Sequence, residues 1–264
     1  MAILIGAIKY RKSFKSIRNY VTLHDPNVYA GEKGGANRDL IMNNPAFART
    51  RENMSEFGGC GAAVKAIRRG LQNLLPEQAD KNFTGRLMRV VKEINRRDLA
   101  GTRGKRAIIF SDERIFLSTL VINKLEGITD MLQDQFVCEH PITKASAKLT
   151  LTDFTIKQVY VPVGATHYRI QNHLNIISDY TYVEANRRYE PMTLLNGMSA
   201  HEYSAYTPVE TALTDEIDVA FPLGTLPGDD DTVIQCVGVE FYQVTATNKY
   251  VPLKGSSVKV VDVF

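Results

Sequence analysis

The sequence predicts an α+β protein with an N-terminal β arm or hairpin, an amphipathic three-helix region and a C-terminal antiparallel β-sandwich. Apolar residues recur at helical spacing between residues 45 and 99, and after residue 105 they alternate in short segments separated by turn signals. The charge changes at the same place: residues 1–106 hold 21 Lys and Arg against 9 Asp and Glu, whereas residues 107–264 hold 11 against 20. We therefore expect three regions, which are residues 1–35, 36–104 and 105–264.

The first region is predicted to form a hairpin. Residues 2–10 and 15–23 are rich in β-forming side chains and are separated by the basic turn Arg11–Ser13. Pro26 and the glycines between residues 31 and 35 then break the pattern. We expect the first strand to serve as an assembly arm, through the residues Ile3, Leu4, Ile5, Ile8 and Tyr10.

The first helix of the basic region has a clear start signal. Asn43 and Asn44 can cap it, and Pro45 follows at a first-turn position, where its missing N–H costs nothing. The pattern predicts a helix as far as Phe57, with Phe47, Met54 and either Phe57 or Thr50 on one stripe. Two consecutive glycines, Gly58 and Gly59, should then end or kink it.

Two further helices are predicted, over residues 61–75 and 80–99. Each carries one apolar stripe, and Pro76 separates them. The residues of the two stripes are Val64, Ile67, Leu71, Leu74 and Leu75, and Phe83, Leu87, Val90, Val91 and Ile94. Because none of these helices can bury its stripe alone, we expect them to pack on one another or on the β region.

Residues 101–104 are predicted to link the helices to the sandwich. Residues 115–122 fit either a strand or a helix. The segments that predict strands are residues 106–111, 147–154, 166–171, 216–222, 233–244, 250–253 and 259–264. Short strands at this spacing are typical of a β-sandwich.

No group of residues predicts catalysis or a cofactor. The histidines His24, His140, His167, His173 and His201 form no metal-binding motif, although His167 and His173 are expected on one face of a strand. The acidic run at 228–231 could hold a cation, but a solvated turn is the favoured interpretation. The three cysteines, Cys60, Cys138 and Cys236, are expected to be free thiols. We therefore predict a protein that is not an enzyme, with no catalytic residues, cofactor or metal.

The strongest electrostatic feature is the stretch 61–106, which holds 12 Lys and Arg against 4 acidic residues. It predicts a basic surface formed by Arg68, Arg69, Arg86, Arg89, Arg96 and Arg97. This surface could bind an acidic surface of the same protein, could bind nucleic acid in a salt-dependent way, or could be a solvated face. Aromatic residues are scarce there, which favours the first interpretation over nucleic acid.

Several parts of the sequence form recognisable blocks, which are residues 32–35, Arg38, and residues 44–53, 56–58, 103–106, 163–169, 239–243 and 250–254. Together these blocks resemble a protein family of Bacteroidota that has no assigned activity. The resemblance covers most of the chain, and Cys60 and residues 180–230 depart from it. It implies a bacterial origin and a layout of helices plus β-structure, and it carries over no functional residues.

The leading hypothesis is a structural protein that assembles with copies of itself into an oligomer or filament, such as an extracellular filament, a tube or a virion component. The N-terminal arm and the complementary charges of the two ends would make the contacts. The alternatives are a nucleic-acid-associated protein and an adhesin-like binding module. The first eight residues are too short for a signal-peptide core, and no segment approaches the roughly 18 apolar residues of a membrane span. These features predict cytoplasmic synthesis without a membrane span, compatible with later release or incorporation into a virion.

Overall fold

The computed structural model describes residues 2–3, 17–22, 25–32, 34–74, 79–123, 132 and 136–264. The chain forms two compact units, Met1–Arg51 and Glu52–Phe264. The expected α+β class is confirmed, with an N-terminal hairpin, a long helix and a sandwich of antiparallel sheets. The expected division into residues 1–35, 36–104 and 105–264 stays a prediction.

The N-terminal unit contains a three-stranded antiparallel sheet. Its strands are β1 (Ala2–Ile3), β2 (Ile17–Thr22) and β3 (Asp25–Glu32), in the order β1-β3-β2. The hairpin is therefore formed by β2 and β3, whereas the sequence placed it between residues 2–10 and 15–23. Pro26 does not end the strand pattern, because it is the second residue of β3, where a missing N–H is tolerated.

The predicted cap at Asn44 is confirmed, although a 3-10 turn separates this residue from the long helix. The Asn44 side chain accepts a hydrogen bond from the Ala46 amide at 2.9 Å, and Pro45–Phe47 form the 3-10 turn before helix α2 begins. A short helix, α1 (Arg38–Asn43), precedes it and was not predicted. Arg51 donates to the carbonyl oxygens of Ile41 and Asn44, which fixes the end of α1.

One long helix, α2 (Ala48–Gly70), replaces the first two predicted helices. The helix continues through Gly58 and Gly59 because Gly59 is buried against the ring of Tyr189, and this packing outweighs the low helix propensity of glycine. The stripe expected at Met54 and Phe57 is wrong, since both side chains are exposed. The predicted later stripe is buried from Val64 to Leu74.

The third predicted helix is confirmed as α3 (Phe83–Arg97), with its apolar stripe buried. It runs antiparallel to α2. Three contacts between the helices establish this direction. Lys92 donates a hydrogen bond to Glu56, the Cys60 thiol donates to the Val91 carbonyl, and Met88 lies near Gly61. The ambiguous segment after residue 114 starts as a short helix, α4 (Arg114–Ser118).

The C-terminal unit contains two main sheets and a small hairpin. The strands after residue 135 are β4 (Phe136–Glu139), β5 (Ser146–Phe154), β6 (His167–Ser178), β7 (Tyr180–Val183), β8 (Arg188–Pro191), β9 (Ser199–Tyr203), β10 (Thr207–Pro208), β11 (Leu213–Ala220), β12 (Asp231–Val244) and β13 (Tyr250–Val263). The central sheet has the order β10-β6-β12-β13, with β9 also paired to β6. The outer sheet has the order β11-β5-β4, and β7 pairs with β8.

The central sheet lies between the helices and the outer sheet. On one face Ile234, Cys236 and Val258 share a core with the stripes of α2 and α3. On the other face Val237 and Phe241 share a core with the outer sheet. The C-terminal unit therefore has three layers, because both faces of the central sheet are apolar and each must be covered.

Two strand predictions need correction. Residues 106–111 form only an isolated bridge, between Ile108 and Tyr180. The buried carboxylate of Asp179 accepts hydrogen bonds from the amides of Phe110 and Ser111 at 2.6 and 3.0 Å, so these amides are not available to a sheet. The segments 250–253 and 259–264, predicted as two strands, both fall in the single strand β13. Its pairing with β12 shifts register between them.

Candidate association surface

The helix layer, residues 52–74 and 79–106, exposes mostly positive charge. Every charged residue described as exposed in this layer is a lysine or an arginine, and its described acidic residues are buried or half-buried, although Glu93 keeps 44 % of its side chain exposed. The nine exposed cations are Lys65, Arg68, Arg69, Lys81, Arg89, Arg96, Arg97, Arg103 and Lys105. The excess of basic residues seen in the sequence thus becomes a larger excess at the surface.

Glu56 is an example of an acidic residue that is buried within the helix layer. Its side chain is only 2 % exposed and accepts hydrogen bonds from Lys92 Nζ at 2.5 Å and from the Gly104 amide at 2.8 Å. Arg106 Nε lies 3.8 Å away. Burial acts to raise the pKa of Glu56, but these hydrogen bonds and charges outweigh it and lower the pKa. Glu56 therefore joins α2, α3 and the loop after α3 as a buried carboxylate.

Arg86 is not part of the surface, contrary to the prediction. Its guanidinium makes a bidentate pair with Asp80 at 3.0 and 2.7 Å. It also donates to the carbonyl oxygens of Val121 and Ile122 at 2.8 and 2.7 Å. With these donors engaged, Arg86 anchors the segment after α4 and has little capacity left for a ligand.

The other five predicted arginines are exposed but do not form one cluster. Because α2 and α3 are antiparallel, Arg68 and Arg69 lie at one end of the helix pair, and Arg96 and Arg97 lie at the other. Arg89 lies between them, and α3 rises about 1.5 Å per residue. Arg96 is 3.5 Å from Glu93, and the Arg97 guanidinium lies 4.9 Å from the ring centre of Phe116. The arginines are therefore spread along the length of the helix pair.

The outer face of the outer sheet carries the opposite charge. Glu139, Lys148 and Asp218 are register partners across β4, β5 and β11, and Glu216 lies two residues from Asp218 on the same face. Glu216 accepts a hydrogen bond from Lys148 at 2.7 Å, and this bond, followed by the charge of Asp218, raises the pKa of Lys148. Three acidic residues thus surround one lysine. This acidic face and the helix layer lie on opposite sides of the central sheet.

The residues of the predicted assembly arm are described only in part. Ile3 lies in β1 and pairs with Tyr29 of β3. Leu4, Ile5, Ile8 and Tyr10 lie outside the described residues. Among the residues of the N-terminal unit whose burial the structure describes, which are 17–22, 25, 27–32 and 34–51, Val28 is the one buried apolar residue.

The other candidate groups of the sequence have structural contacts. His173 is fully buried, hydrogen-bonds the Gly70 carbonyl through Nε2 at 2.9 Å, and has its pKa lowered to about 4 by burial. In the acidic turn, Asp231 is buried, and Lys144 donates to the carbonyl oxygens of Gly228 and Asp231. The lysine ammonium thus supplies positive charge to this turn. The part of the chain that the structure describes contains no group of three potential metal-ligating side chains.

The cysteines are unpaired, and Cys60 and Cys236 are buried. Burial raises the pKa of the Cys60 thiol to about 11 and that of Cys236 to about 12, so neither is a thiolate at neutral pH.

An aromatic cluster on the central sheet was not predicted. The guanidinium of Arg169 lies 3.7 Å from the ring centre of Tyr203 and pairs with Glu240 at 2.7 Å. Beside it, the exposed rings of Tyr206 and Tyr250 stack at 3.8 Å. These residues come from β6, β9, β12, β13 and the segment between β9 and β10, so no local sequence pattern could have united them. The only feature of the sequence that pointed to such a cluster was its abundance of tyrosine, 12 in the chain.

Comparison of the chain with protein-family models, with curated proteins and with solved structures finds no match. The resemblance to a Bacteroidota family therefore stays a prediction. Among the described helices, none has both the length and the apolar character needed to cross a bilayer.

Proposed function

We propose that this chain is a non-enzymatic structural protein that assembles with copies of itself. In this proposal the helix layer of one copy contacts the acidic face of the next. The contact uses two different surfaces, so it is heterologous, and repeated copies form either a ring or a filament. An extracellular filament, a tube and a virion component are all compatible with it.

The observation that carries the proposal is the separation of exposed charge between two opposite layers. All nine exposed charged residues described in the helix layer are cations, and the far face presents Glu139, Glu216 and Asp218 around a single lysine. Complementary potentials of this kind steer association and fix its register. Because the two faces point in opposite directions, they cannot satisfy each other within one C-terminal unit.

The N-terminal unit supplies a second contact in this proposal. Strand β1 lies at the edge of its sheet, where Ala2 and Ile3 pair with Ala30 and Tyr29. An N-terminal edge strand can leave its own sheet and pair with the same sheet of another copy. Deletion of residues 1–12 should then abolish assembly while the C-terminal unit stays folded. Normal assembly of the deletion variant would refute this role of the arm.

Charge reversal tests the contact between the two faces. We expect light scattering after size-exclusion chromatography to show assemblies that shrink as salt rises from about 0.05 to 0.5 M, because salt screens exposed charges. Arg68→Glu with Arg89→Glu should give smaller species, and so should Glu216→Lys with Asp218→Lys. The variant with all four changes should stay dissociated, because the helix layer keeps seven exposed cations and the far face has itself become basic.

The matched control is Lys157→Glu with Lys249→Glu, which changes the net charge equally at exposed positions outside both faces. It should assemble as the unchanged protein does. Circular dichroism of every variant separates loss of contact from loss of fold. A monomer at low salt would refute the proposal, and so would normal assembly of the variant Glu216→Lys with Asp218→Lys.

The nine exposed cations also support a second candidate function, the binding of nucleic acid. That function predicts a purified protein with bound nucleic acid and a binding constant that falls steeply with salt. Neutralising Arg68 and Arg89 should reduce that salt dependence. The ratio of absorbance at nucleic-acid and protein wavelengths across the chromatography peak distinguishes this outcome from self-assembly.

The stacked pair of Tyr206 and Tyr250 supports the third candidate, an adhesin-like binding module. Exposed tyrosines that are held rigidly are frequent in binding surfaces, because they offer a large contact area at little entropic cost. A glycan array tests this candidate. The unchanged protein should bind at least one glycan, and the variant Tyr206→Ala with Tyr250→Ala should lose that binding.

A further inference from the structure

One end of the helix layer contains a polar cleft of about 370 Å³. It is formed by the start of α2, the end of α3 and the loop after α3. The cleft is lined by Asn53, Glu56, Lys92, Arg96, Arg103 and Arg106. Four of these side chains are cations and one is a carboxylate, so the lining carries a net charge of +3.

The loop that supplies Arg103 and Arg106 is held rigidly. Asp98 accepts hydrogen bonds from the amides of Ala100, Gly101 and Ala107 at 3.0, 2.8 and 2.7 Å. Asn95 donates to the carbonyl oxygens of Arg106 and Ala107 at 2.8 and 3.2 Å. Since the backbone on both sides of the loop is fixed, the two arginines begin from ordered positions.

The middle of the loop is pressed against α2. Gly104 has a φ of +93°, and its amide donates to the buried carboxylate of Glu56. A Cβ atom at this position would lie 3.1 Å from the backbone of Glu52. The conformation and the close approach both require glycine here, and they bring Arg103 and Arg106 to the same cleft as the helix residues.

Two of the cations have exposed side chains. Arg96 is 63 % exposed and lies 3.5 Å from the half-exposed Glu93. Arg103 is 43 % exposed, lies 3.5 Å from Glu52 and donates a hydrogen bond to Asn53 Oδ1 at 3.1 Å. Arg106 lies 3.8 Å from Glu56, whose main partner is Lys92. The ion pair of Arg96 with Glu93 is weak, because exposed ion pairs contribute little energy.

We propose that this cleft binds a phosphate group of a small molecule, such as inorganic phosphate, pyrophosphate or a phosphate monoester. Guanidinium groups pair with phosphate oxygens through two parallel hydrogen bonds, and Arg96, Arg103 and Arg106 line one cleft. A net charge of +3 matches a multiply charged anion better than a single carboxylate. The volume lies at the lower end of the range of small-molecule sites.

The test is isothermal titration calorimetry of the whole chain with inorganic phosphate and with pyrophosphate, at constant ionic strength set with chloride. We expect binding, with pyrophosphate tighter than phosphate. Arg96→Gln with Arg103→Gln should weaken it by about tenfold or more for each arginine, because each removes a hydrogen bond between charged groups. Both side chains are exposed, so the variant should remain folded.

The matched control is Lys157→Gln with Lys249→Gln, which removes the same charge from exposed positions outside the cleft and outside both charged faces. It should leave the affinity within about twofold, since exposed charges beyond a Debye length are screened. Equal weakening by both variants would refute the cleft, and so would the absence of binding below about 10 mM. A short oligonucleotide that binds while pyrophosphate does not would also refute it and would favour the nucleic-acid function. The two proposals have different readouts, the heat of phosphate binding and the size of the assembly, so either can fail without the other.

Discussion

The glycines of the helix layer provide a sharp test of how the helices pack on the central sheet. At Gly70 an added Cβ atom would lie 1.8 Å from Asn175 Oδ1, and at Gly59 it would lie 2.4 Å from the ring of Tyr189. At Gly58 and Gly85, which are also helical, the same atom would meet nothing within 4 Å. Changing each of the four to alanine therefore adds the same methyl group to two crowded and two open positions.

The expected changes in the free energy of unfolding have opposite signs. Alanine favours a helix over glycine by about 1 kcal/mol, so Gly58→Ala and Gly85→Ala should stabilise by up to that amount. At Gly70 the Asn175 amide must move by more than about 1 Å to reach ordinary contact distance. That shift costs about 1–3 kcal/mol of overpacking and about 1 kcal/mol for the hydrogen bond from Asn175 to the Ile67 carbonyl. Gly70→Ala should therefore destabilise by about 1–3 kcal/mol, and Gly59→Ala by a similar amount.

Urea unfolding followed by circular dichroism measures these differences. In the double variant with Asn175→Ala, the cost of Gly70→Ala should become smaller, because the group in the way has been removed. Equal stability of all four single variants would show that α2 does not approach the sheet this closely.

Three further predictions concern buried polar groups. Burial lowers the pKa of His173 in the folded chain to about 4, below its ordinary value of 6.5. Between these two pH values the unfolded chain binds a proton that the folded chain does not. The free energy of unfolding should therefore fall as the pH drops from 6.5 to 4. The expected loss of stability is about 3 kcal/mol. Urea unfolding between pH 6.5 and 4 should show this loss in the unchanged protein and not in His173→Gln. In the same assay Glu56→Gln should destabilise the protein by about 2–3 kcal/mol, because Lys92 loses its buried partner. Glu93→Gln, which removes one member of an exposed ion pair, should change the stability by less than about 0.5 kcal/mol. Arg86→Lys should lower the thermal midpoint because lysine cannot reproduce the four-bond arrangement, and Arg89→Lys should leave the midpoint unchanged.

The elements that the sequence predicted well are those in which one local pattern decides the outcome. The stripe of α3, the cap at Asn44 and the alternation in β5 all depend on residues a few positions apart. The excess of basic residues in the helical region was also visible directly. The described acidic residues of that region are buried or half-buried, whereas most of its lysines and arginines are exposed, so the excess of positive charge is larger at the surface.

Contacts between residues far apart in the chain decided the rest. Gly59 ends no helix because Tyr189 packs on it, and residues 106–111 form no full strand because Asp179 holds their amides. Arg86 was expected at the surface but is tied to the segment after α4. The sequence alone determined the class of the fold, most of its strands and the sign of its charge. Tertiary structure decided which charged groups remain free and which side chains meet, because those depend on free energies of packing and desolvation that arise only when distant segments come together.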